Sequence, residues 1–387
     1  MKLIRFCAAF SLFAFCSCAS LKNTRKNNDV RNLDKYSKEI VSILNGMTVR
    51  EKIGQMFCVV PENFDFALTQ KQIDMDTVAS SCVVSSEMKK NMKLYPVGGI
   101  IYFRKNLESP EQIKKMMNDF DSVSKVPLIH STDEEGGRVA RVARVERFGV
   151  KKTGPALKEK DPEKMGKEIG TYLRKYGFNV DFAPVADVWT NPKNEVIGDR
   201  AFSTDPEEAG EKVGKAIFGF HDAGIKVAIK HFPGHGDTKA DSHNGTAKSY
   251  KTWKNMKKCE MVPFRKGIES GADMVMVAHI KTPLATRDGL PATLSSTWIT
   301  ERLRGELGFD GVVITDAMGM KALSSNYTSI ESALMAIDAG VDILLMPHDF
   351  AKTFDELVSA VESGIIPESR IDESVARILK MKSGFDK

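Results

Sequence analysis

The chain has 387 residues with a formal charge of +5, and 42% of its residues are hydrophobic and 28% charged. This length fits two average domains or one α/β barrel with insertions, and the composition is that of a globular protein. The charge is small for the length and no run of Lys and Arg stands out, so nucleic acid is not expected as a partner.

The first residues have the pattern of an export signal. A basic stretch, residues 1–5, precedes an apolar run, residues 6–15, that is shorter than the ~20 residues needed to span a bilayer. Cys18 follows a small residue, as at the cleavage site of bacterial lipoproteins. We predict that residues 1–17 are a signal peptide and that Cys18 is acylated. Cys16 is the alternative acceptor, and an ordinary cleaved signal peptide is the alternative interpretation.

The segment after this signal is polar and rich in Asn and Lys, which predicts a flexible tether over residues 18–39 and a folded domain over residues 40–387. We therefore expect an exported monomer, held by its lipid on the periplasmic side of a bacterial membrane or at the cell surface. Three cysteines remain in the domain, too far apart in sequence to indicate a disulfide framework.

From Ile40 onward, short apolar runs alternate with longer segments of helical periodicity. The predicted strands are Gln55–Val60, Gly98–Phe103, Pro127–His130, Val180–Val188, Val227–His231, Met274–His279, Gly311–Thr315 and Asp342–Met346. The predicted helices are Pro110–Val123, Pro162–Tyr176, Pro206–Ala223, Thr252–Ser270, Ser296–Leu307, Ser329–Ala339, Glu356–Ser363 and Ile371–Met381. A further helix is expected near Lys71–Met88, within the long connection Pro61–Pro96, which is predicted to form a wall of the site.

Strand–helix alternation favours a parallel sheet, and eight units favour an α/β fold of the closed (β/α)8 (TIM) barrel type as a single catalytic domain. The alternative is an open doubly wound sheet. Its nucleotide-binding form needs a Gly-rich turn after the first strand, where this chain has Val60-Pro61-Glu62-Asn63. The sequence therefore predicts the barrel.

A barrel of this kind places its catalytic residues at the C-terminal ends of the strands. The unusual polar residues of this chain concentrate there, and six of its seven histidines lie at or near strand ends, since only His221 lies inside a helix. The segments concerned are Asp133-Glu134-Glu135-Gly136-Gly137-Arg138 with Arg141, Ile197-Gly198-Asp199-Arg200-Ala201-Phe202, Lys230-His231-Phe232-Pro233-Gly234-His235-Gly236-Asp237 with Asp241-Ser242-His243, His279, and Thr315-Asp316-Ala317-Met318.

Several of these residues also have purely structural interpretations. Asp133 and Asp316 are possible helix N-caps, and Arg138 is a possible structural ion-pair partner. His279 is a possible hydrogen-bonded core residue. The Lys230-His231 dipeptide is harder to explain in this way, because a charged pair ending a buried strand is costly unless it faces a polar cavity.

The histidine-rich segment also allows a zinc site as an alternative. Its ligands would be His231, His235, Asp241 and His243. Their spacing matches no standard zinc motif, and Pro233-Gly234 interrupts the helix that a two-histidine motif requires. We therefore predict no metal and no other cofactor.

Taken together, these motifs resemble those of glycoside hydrolase family 3, in its bacterial single-domain β-N-acetylglucosaminidase branch. The resemblance rests on the segments from Lys230 to Gly236, Asp241 to His243, Asp133 to Val139, Ile197 to Arg200 and Ile314 to Met318, which occur in the family's order. The ending Arg370–Leu379 is similar to the family's closing helix, and the likeness extends over about residues 44–382.

The resemblance implies a retaining mechanism in which Asp316 attacks the anomeric carbon and forms a covalent glycosyl-enzyme. It implies that His243 is the acid/base and that Asp241 orients it, a role that suits a histidine with an ordinary pKa of ~6.5. It also implies sugar-binding roles at the −1 subsite. The residues that match these roles are Asp133, Arg141, Arg200, Lys230 and His231.

Two features depart from the family pattern. Asn244-Gly245-Thr246-Ala247-Lys248 follows the Asp-Ser-His motif in place of the usual apolar residues and proline, which puts the leaving-group preference in doubt. The long segment Pro61–Pro96 is the other departure, with an expected effect on the subsites beyond −1.

The resemblance leads us to expect hydrolysis of terminal β-linked N-acetylglucosamine from cell-wall fragments or chitin-type glycans. A β-glucosidase and an N-acetylglucosaminide phosphorylase are the enzymatic alternatives. The former usually has a second domain that supplies a carboxylate acid/base, which this chain, ending with the barrel, is not expected to have. An alternative of another class is a non-catalytic sugar-binding lipoprotein, disfavoured because both Asp316 and His243 are present.

Overall fold

The computed structural model describes residues 33–74, 82–238, 245 and 247–385. Eight parallel strands form one sheet in the order β7-β6-β5-β4-β3-β2-β1-β8. The sheet is closed by a parallel bridge between Ile314 and Ile343, with the Thr315 amide donating to the Ile343 carbonyl at 3.0 Å. The strands are β1 Phe57–Val59, β2 Gly99–Ile101, β3 Ile129–Thr132, β4 Val180–Asp181, β5 Lys226–Phe232, β6 Met274–Val277, β7 Val312–Thr315 and β8 Leu344–Leu345. The predicted (β/α)8 barrel is confirmed.

The fourth strand is much shorter than the predicted Val180–Val188. Pro184 has no N–H to donate and interrupts the ladder. Pairing with β5 resumes only at an isolated bridge between Val185 and Lys230, where the Ala186 amide donates to the Lys230 carbonyl at 2.6 Å.

The helices that cover the barrel follow the strands. In the part of the chain that the structure describes, the α-helices are Lys38–Asn45, Val49–Gln55, Gln70–Asp74, Ser86–Leu94, Pro110–Asp121, Pro162–Lys175, Pro206–Asp222, Trp253–Lys258, Met261–Glu269, Lys321–Ser324, Ser329–Ala339, Phe350–Glu362 and Glu368–Lys382. None of the described helices is long and apolar enough to cross a bilayer.

Three of these helices begin with the same local signature. A Ser or Asp precedes a proline at the first helical position, and its side chain accepts a hydrogen bond from a backbone N–H two residues beyond the proline. The pairs are Ser109 with Gln112 (3.2 Å), Asp161 with Lys164 (3.2 Å) and Asp205 with Glu208 (2.9 Å). The predicted helix starts at Pro110, Pro162 and Pro206 are therefore confirmed.

Two predicted helices differ in detail. The segment Thr252–Ser270 forms two helices, Trp253–Lys258 and Met261–Glu269, because Pro263 cannot donate within a helix interior but fits the first turn of a new one. The segment predicted as Ser296–Leu307 is a π-helix over Thr297–Glu306, in which the Leu307 amide donates to the Arg302 carbonyl at 2.8 Å.

Among its described residues, the connection Pro61–Pro96 contains a 3-10 helix, Pro61–Phe64, and two short α-helices, Gln70–Asp74 and Ser86–Leu94. Residues 75–81, which belong to the helix predicted near Lys71–Met88, lie outside the described residues. The connection is placed next to the segment after β8, because the Asp349 amide donates to Gln70 Oε1 at 3.1 Å. It therefore borders the C-terminal end of the barrel between β1 and β8.

Candidate active site

Charged side chains from β3, β5 and the loop after β4 meet at the C-terminal end of the barrel. Lys230 is only 2% exposed, and its Nζ lies 2.7 Å from Asp133 Oδ1 and 2.6 Å from Glu135 Oε1. Arg200 donates twice to Glu135, from Nε to Oε2 and from a terminal nitrogen to Oε1, both at 2.8 Å. Two cations and two carboxylates thus form one continuous network, with Lys230 and Glu135 buried and Asp133 and Arg200 partly exposed.

Each charge in this network stabilises its neighbours. Burial alone would raise the pKa of Glu135, but Arg200 and Lys230 hold that pKa well below its usual range. Burial alone would lower the pKa of Arg200 and of Lys230, yet their carboxylate partners raise both. All three side chains are therefore charged at neutral pH and are held in place before any substrate arrives.

His231 extends the network beyond Arg200. Arg200 donates to His231 Nε2 at 3.2 Å, so the ring proton lies on Nδ1, which is 2.6 Å from Asp187 Oδ2. The other oxygen of Asp187 accepts from the His235 amide at 2.5 Å. Burial alone would raise the pKa of Asp187, but His231 and His235 together lower it overall. Asp187 therefore fixes both the tautomer of His231 and the start of the turn that follows.

Arg141 completes the set on the side of β3. Its terminal nitrogen lies 3.7 Å from Asp133 Oδ2, and its guanidinium lies 5.4 Å from the ring centre of Phe103. The five residues predicted to bind sugar thus form one chain of contacts, in which Glu135 links Lys230 to Arg200. The order of this chain is Arg141, Asp133, Lys230, Glu135, Arg200 and His231.

Asp316 directly follows β7 and is partly exposed at this end of the barrel. Its Oδ1 accepts from the amide of Ala317 at 2.7 Å. Burial would raise the pKa of Asp316, but His279, His231, the Ala317 amide and Lys230 together lower it. The carboxylate is therefore ionised at neutral pH, as a nucleophile must be.

His279, at the end of β6, supports the turn that presents Asp316. Its Nε2 donates to the Ala317 carbonyl at 3.1 Å, and its Nδ1 lies 2.8 Å from Thr293 Oγ1. The residue is 1% exposed. The interpretation of His279 as a hydrogen-bonded core histidine therefore fits the geometry, with an added electrostatic effect on Asp316.

Other residues of the predicted motifs hold the loops and do not face the charged network. Arg138 donates to the backbone carbonyls of residues 195–197 at 2.5 to 3.0 Å and pairs with Asp199 at 3.0 Å, which fixes the loop that bears Arg200. Glu134 accepts from the backbone amides of residues 141–143 and from the Tyr172 hydroxyl, which fixes the loop that bears Arg141. Arg138 is thus a structural ion-pair partner.

His130 is a predicted strand-end histidine that points away from the charged network. It belongs to β3 itself, and its ring contacts the Tyr102 hydroxyl at 3.0 Å and Asp121 of the covering helix at 3.1 Å. Because successive side chains of a strand face opposite sides, His130 faces the helix layer while the site lies at the strand's end.

Asp241 and His243 lie outside the described residues. The zinc alternative also depends on both. Among the described residues, no group of three or more His, Cys, Asp or Glu side chains is arranged to hold a metal ion.

The sequence interpretation assigned no role to Glu135 or Asp187, although both organise the site. The sequence position of each acid indicates a paired role, because a buried acid next to a strand end is costly unless it is paired. Asp187 is the last residue but one of the predicted fourth strand, Val180–Val188, and Glu135 lies in the motif after β3.

Replacing Glu135 with glutamine should remove the negative charge that pairs with both Lys230 and Arg200. Removing one side of a buried ion pair typically costs about 3–5 kcal/mol, so we expect a clear drop in the thermal unfolding midpoint together with a higher KM. Thermal unfolding and steady-state kinetics measure both effects. Glu211→Gln, on the exposed face of the helix Pro206–Asp222, is the matched control. A Glu135→Gln protein as stable as this control would contradict the assignment.

Comparison with known proteins agrees with this geometry. The family described as "Glycosyl hydrolase family 3 N terminal domain" matches residues 48–381. A protein named beta-hexosaminidase A from Pseudoalteromonas piscicida is 33% identical over 340 residues, which cover 80% of this chain and 57% of that protein. The chain thus spans little more than half the length of this relative.

Solved structures show the same likeness. A family 3 β-N-acetylglucosaminidase from a Paenibacillus species superposes with a TM-score of 0.78 at 37% identity, over 88% of this chain and 63% of that one. A structure described as zinc-bound CbsA, from Thermotoga neapolitana, has a TM-score of 0.72 at 27% identity, over 88% of this chain and 69% of that one. With a match across nearly the whole described barrel, the chain belongs to glycosyl hydrolase family 3.

Proposed function

We propose that this chain is a retaining exo-glycosidase that removes terminal, non-reducing β-linked N-acetylglucosamine from oligosaccharides. The observation that carries the proposal is the position of the Asp316 carboxylate at the C-terminal end of β7, where His279, His231 and Lys230 act on it electrostatically. Relatives named for β-hexosaminidase and β-N-acetylglucosaminidase activity support the choice of sugar.

In the first step, Asp316 attacks the anomeric carbon and a carbon–oxygen bond forms as the glycosidic bond breaks. The departing oxygen takes a proton from His243, which Asp241 orients. In the second step, the neutral histidine removes a proton from water, which attacks the anomeric carbon and releases Asp316. Two displacements retain the β configuration.

The charged network is suited to holding the sugar for this reaction. Asp133 is an acceptor for hydroxyl groups, while Arg141, Arg200 and Lys230 are donors. Because Glu135 already holds Lys230 and Arg200, and Asp187 holds His231, these three side chains keep one orientation when the site is empty. Binding then places the anomeric carbon without reorganising the protein.

A direct assay compares 4-nitrophenyl β-N-acetylglucosaminide with the corresponding glucoside, with and without EDTA and with and without phosphate. We expect turnover of the N-acetylglucosaminide, little of the glucoside, and no loss in EDTA. Activity on the glucoside alone would favour a β-glucosidase, and a strict need for phosphate would favour a phosphorylase. No turnover of either substrate would favour a sugar-binding protein.

The EDTA arm of this assay tests whether the enzyme requires zinc. The relative described as zinc-bound makes a metal worth testing. Its candidate ligands here are His231, His235, Asp241 and His243, and His231 and His235 already have protein partners, Asp187 and Thr238. Loss of activity in EDTA with recovery on added Zn²⁺ would contradict a metal-free mechanism.

We also propose that the protein is exported, lipid-anchored and active on cell-wall or chitin-type fragments. The support is the basic and apolar start of the chain with Cys18, all outside the described residues. Expression of the full chain in a bacterium with Cys18→Ala should release the protein from the membrane fraction. If Cys16→Ala does so and Cys18→Ala does not, the acylated residue is Cys16. Product analysis with peptidoglycan fragments and chitooligosaccharides side by side identifies the glycan.

A further inference from the structure

A cavity of about 500 Å³ lies between the connection after β1 and the start of the helix Phe350–Glu362. One wall is formed by residues 63–73 and the other by residues 349–352. The described residues that line it include neither Asp316 nor any member of the charged network. Its volume falls within the range of small-molecule binding sites, which is about 300–1,000 Å³.

Hydrogen bonds fix the two walls of this cavity to each other. Gln70 is the link, because its Oε1 accepts from the Asp349 amide at 3.1 Å and its Nε2 donates to Asp74 Oδ1 at 2.8 Å. The other oxygen of Asp74 lies 3.4 Å from Nε2 of His348, in the loop after β8. Since these contacts are made within the protein, the cavity has its shape before a ligand enters.

Phe66 gives one wall an open aromatic surface. It is 49% exposed and packs edge to face on Tyr95, with ring centres 5.5 Å apart. Tyr95 in turn contacts the rings of Phe350 and Phe354 at 6.0 and 5.5 Å, which anchors Phe66 to the core of the protein. The exposed part of a ring held in this way offers an apolar surface to the C–H groups of a ligand.

Asn63 adds a largely buried polar group to the same wall. It is 6% exposed, and its Oδ1 accepts from the Val60 amide at 3.2 Å. Its Nδ2 has no hydrogen-bond partner among the described residues, yet it is not sealed in the interior, so it opens onto the cavity that Asn63 lines. An amide donor in this position needs a polar partner, which a ligand oxygen can supply.

The charges around the cavity indicate which ligand fits. Two carboxylates, Asp65 and Asp349, and one ammonium, Lys352, line it, which disfavours an anion. The aromatic wall at Phe66 disfavours a hydrated cation. A neutral polyol suits both features, because its hydroxyl groups donate to carboxylates and accept from amide or ammonium groups while its C–H face packs on a ring.

The loop after β8 connects this cavity to the loop that bears Asp316. His348, next to the cavity residue Asp349, packs on Gly319, where a Cβ would lie 2.6 Å from His348 Nε2. Gly319 is three residues beyond Asp316. The cavity therefore lies at the same end of the barrel as the active site, outside the charged network.

We infer that this cavity is a second carbohydrate-binding site, which holds a pyranose unit of a glycan chain outside the −1 subsite. Phe66 packs on the face of the sugar ring, Asn63 donates to one of its oxygens, and Asp65 and Asp349 accept from its hydroxyl groups. The inference goes beyond the proposed reaction. A chain bound here keeps its other units at a high local concentration near Asp316.

Affinity electrophoresis tests this site without requiring turnover, so its outcome is independent of the proposed reaction. Native gels contain glycol chitin or hydroxyethylcellulose, two neutral polymers that share the pyranose ring and differ in the acetamido group. Because an exo-acting −1 subsite takes only chain ends, which are scarce in polymers, retardation reports binding to the chain interior. We expect at least one polymer to retard the wild type, and Phe66→Ala to weaken that binding about fivefold to tenfold. The polymer that binds more tightly identifies the sugar.

Two further variants serve as controls. Phe66→Tyr retains the ring and should bind within about twofold of wild type. Phe218→Ala removes a phenylalanine that is 62% exposed on the helix Pro206–Asp222, and it should bind as wild type does. A wild type that neither polymer retards would overturn the inference. So would a Phe66→Ala protein that binds as tightly as wild type, or a Phe66→Tyr or Phe218→Ala protein that binds as weakly as Phe66→Ala.

Discussion

Asp316→Ala should abolish turnover, with kcat/KM falling by about four orders of magnitude or more, or about 5 kcal/mol of transition-state stabilisation. The reason is that Asp316 supplies both the bond-forming oxygen and the negative charge beside an oxocarbenium-like transition state. Steady-state kinetics with 4-nitrophenyl β-N-acetylglucosaminide measures this loss. A residual rate within about tenfold of wild type would remove Asp316 from the role of nucleophile.

Azide provides a second readout for the same variant. With the carboxylate gone, azide fits the vacated space and attacks the anomeric carbon from the face that Asp316 occupied. One displacement inverts the configuration, so the expected product is the α-glycosyl azide, identified by NMR. Wild-type enzyme should instead release the β-anomer of N-acetylglucosamine first. Formation of the α-anomer by the wild type would contradict a retaining mechanism.

His243→Ala should slow the hydrolysis of substrates with poor leaving groups much more than that of substrates with good ones. General acid catalysis typically contributes 10²–10⁴-fold, so we expect a loss of about that size in kcat/KM on diacetylchitobiose. The 2,4-dinitrophenyl glycoside needs no proton and should retain kcat/KM within about tenfold. The alkaline limb of the kcat/KM profile, which a histidine with an ordinary pKa of ~6.5 produces, should disappear. Equal losses on both substrates would exclude His243 as the proton donor.

Asp241→Asn tests the partner of that histidine. An amide can still accept a hydrogen bond but cannot stabilise an imidazolium, so proton donation should weaken while substrate binding is preserved. The expected pattern is a smaller version of that for His243→Ala, with KM for the aryl substrate unchanged. A variant that behaves as wild type on diacetylchitobiose would leave His243 without an assigned partner.

The binding network explains why the Asp316→Ala variant should fold. Its fixed charges, Asp133, Glu135, Lys230 and Arg200, satisfy one another without help from Asp316. Asp316 itself makes its described hydrogen bond to the neighbouring Ala317 amide. Unfolding measurements on Asp316→Ala can therefore show whether its loss of activity occurs without a loss of stability. Glu135→Gln, in contrast, should change both activity and stability.

The regular part of the fold was accessible from the sequence because local patterns specify it. All eight strands lie within or close to the predicted apolar runs, and helix starts such as Pro110 were predicted from their caps. The differences occur where single residues override a pattern. Pro184 and Pro263 each remove an N–H donor that a continuous strand or helix would need.

The sequence by itself determined the barrel, the end of the barrel at which the site lies, and the family resemblance that points to Asp316. It could not assign Glu135 or Asp187, because their roles depend on partners far along the chain. Glu135 pairs with Arg200, and Asp187 with His231. Nor could it show that Asp237 and Ser249 bind each other across the segment that holds His243. Periodicity is a property of residues that are neighbours in sequence. Pairing between strand-end loops depends on how the barrel closes, which only the tertiary structure decides.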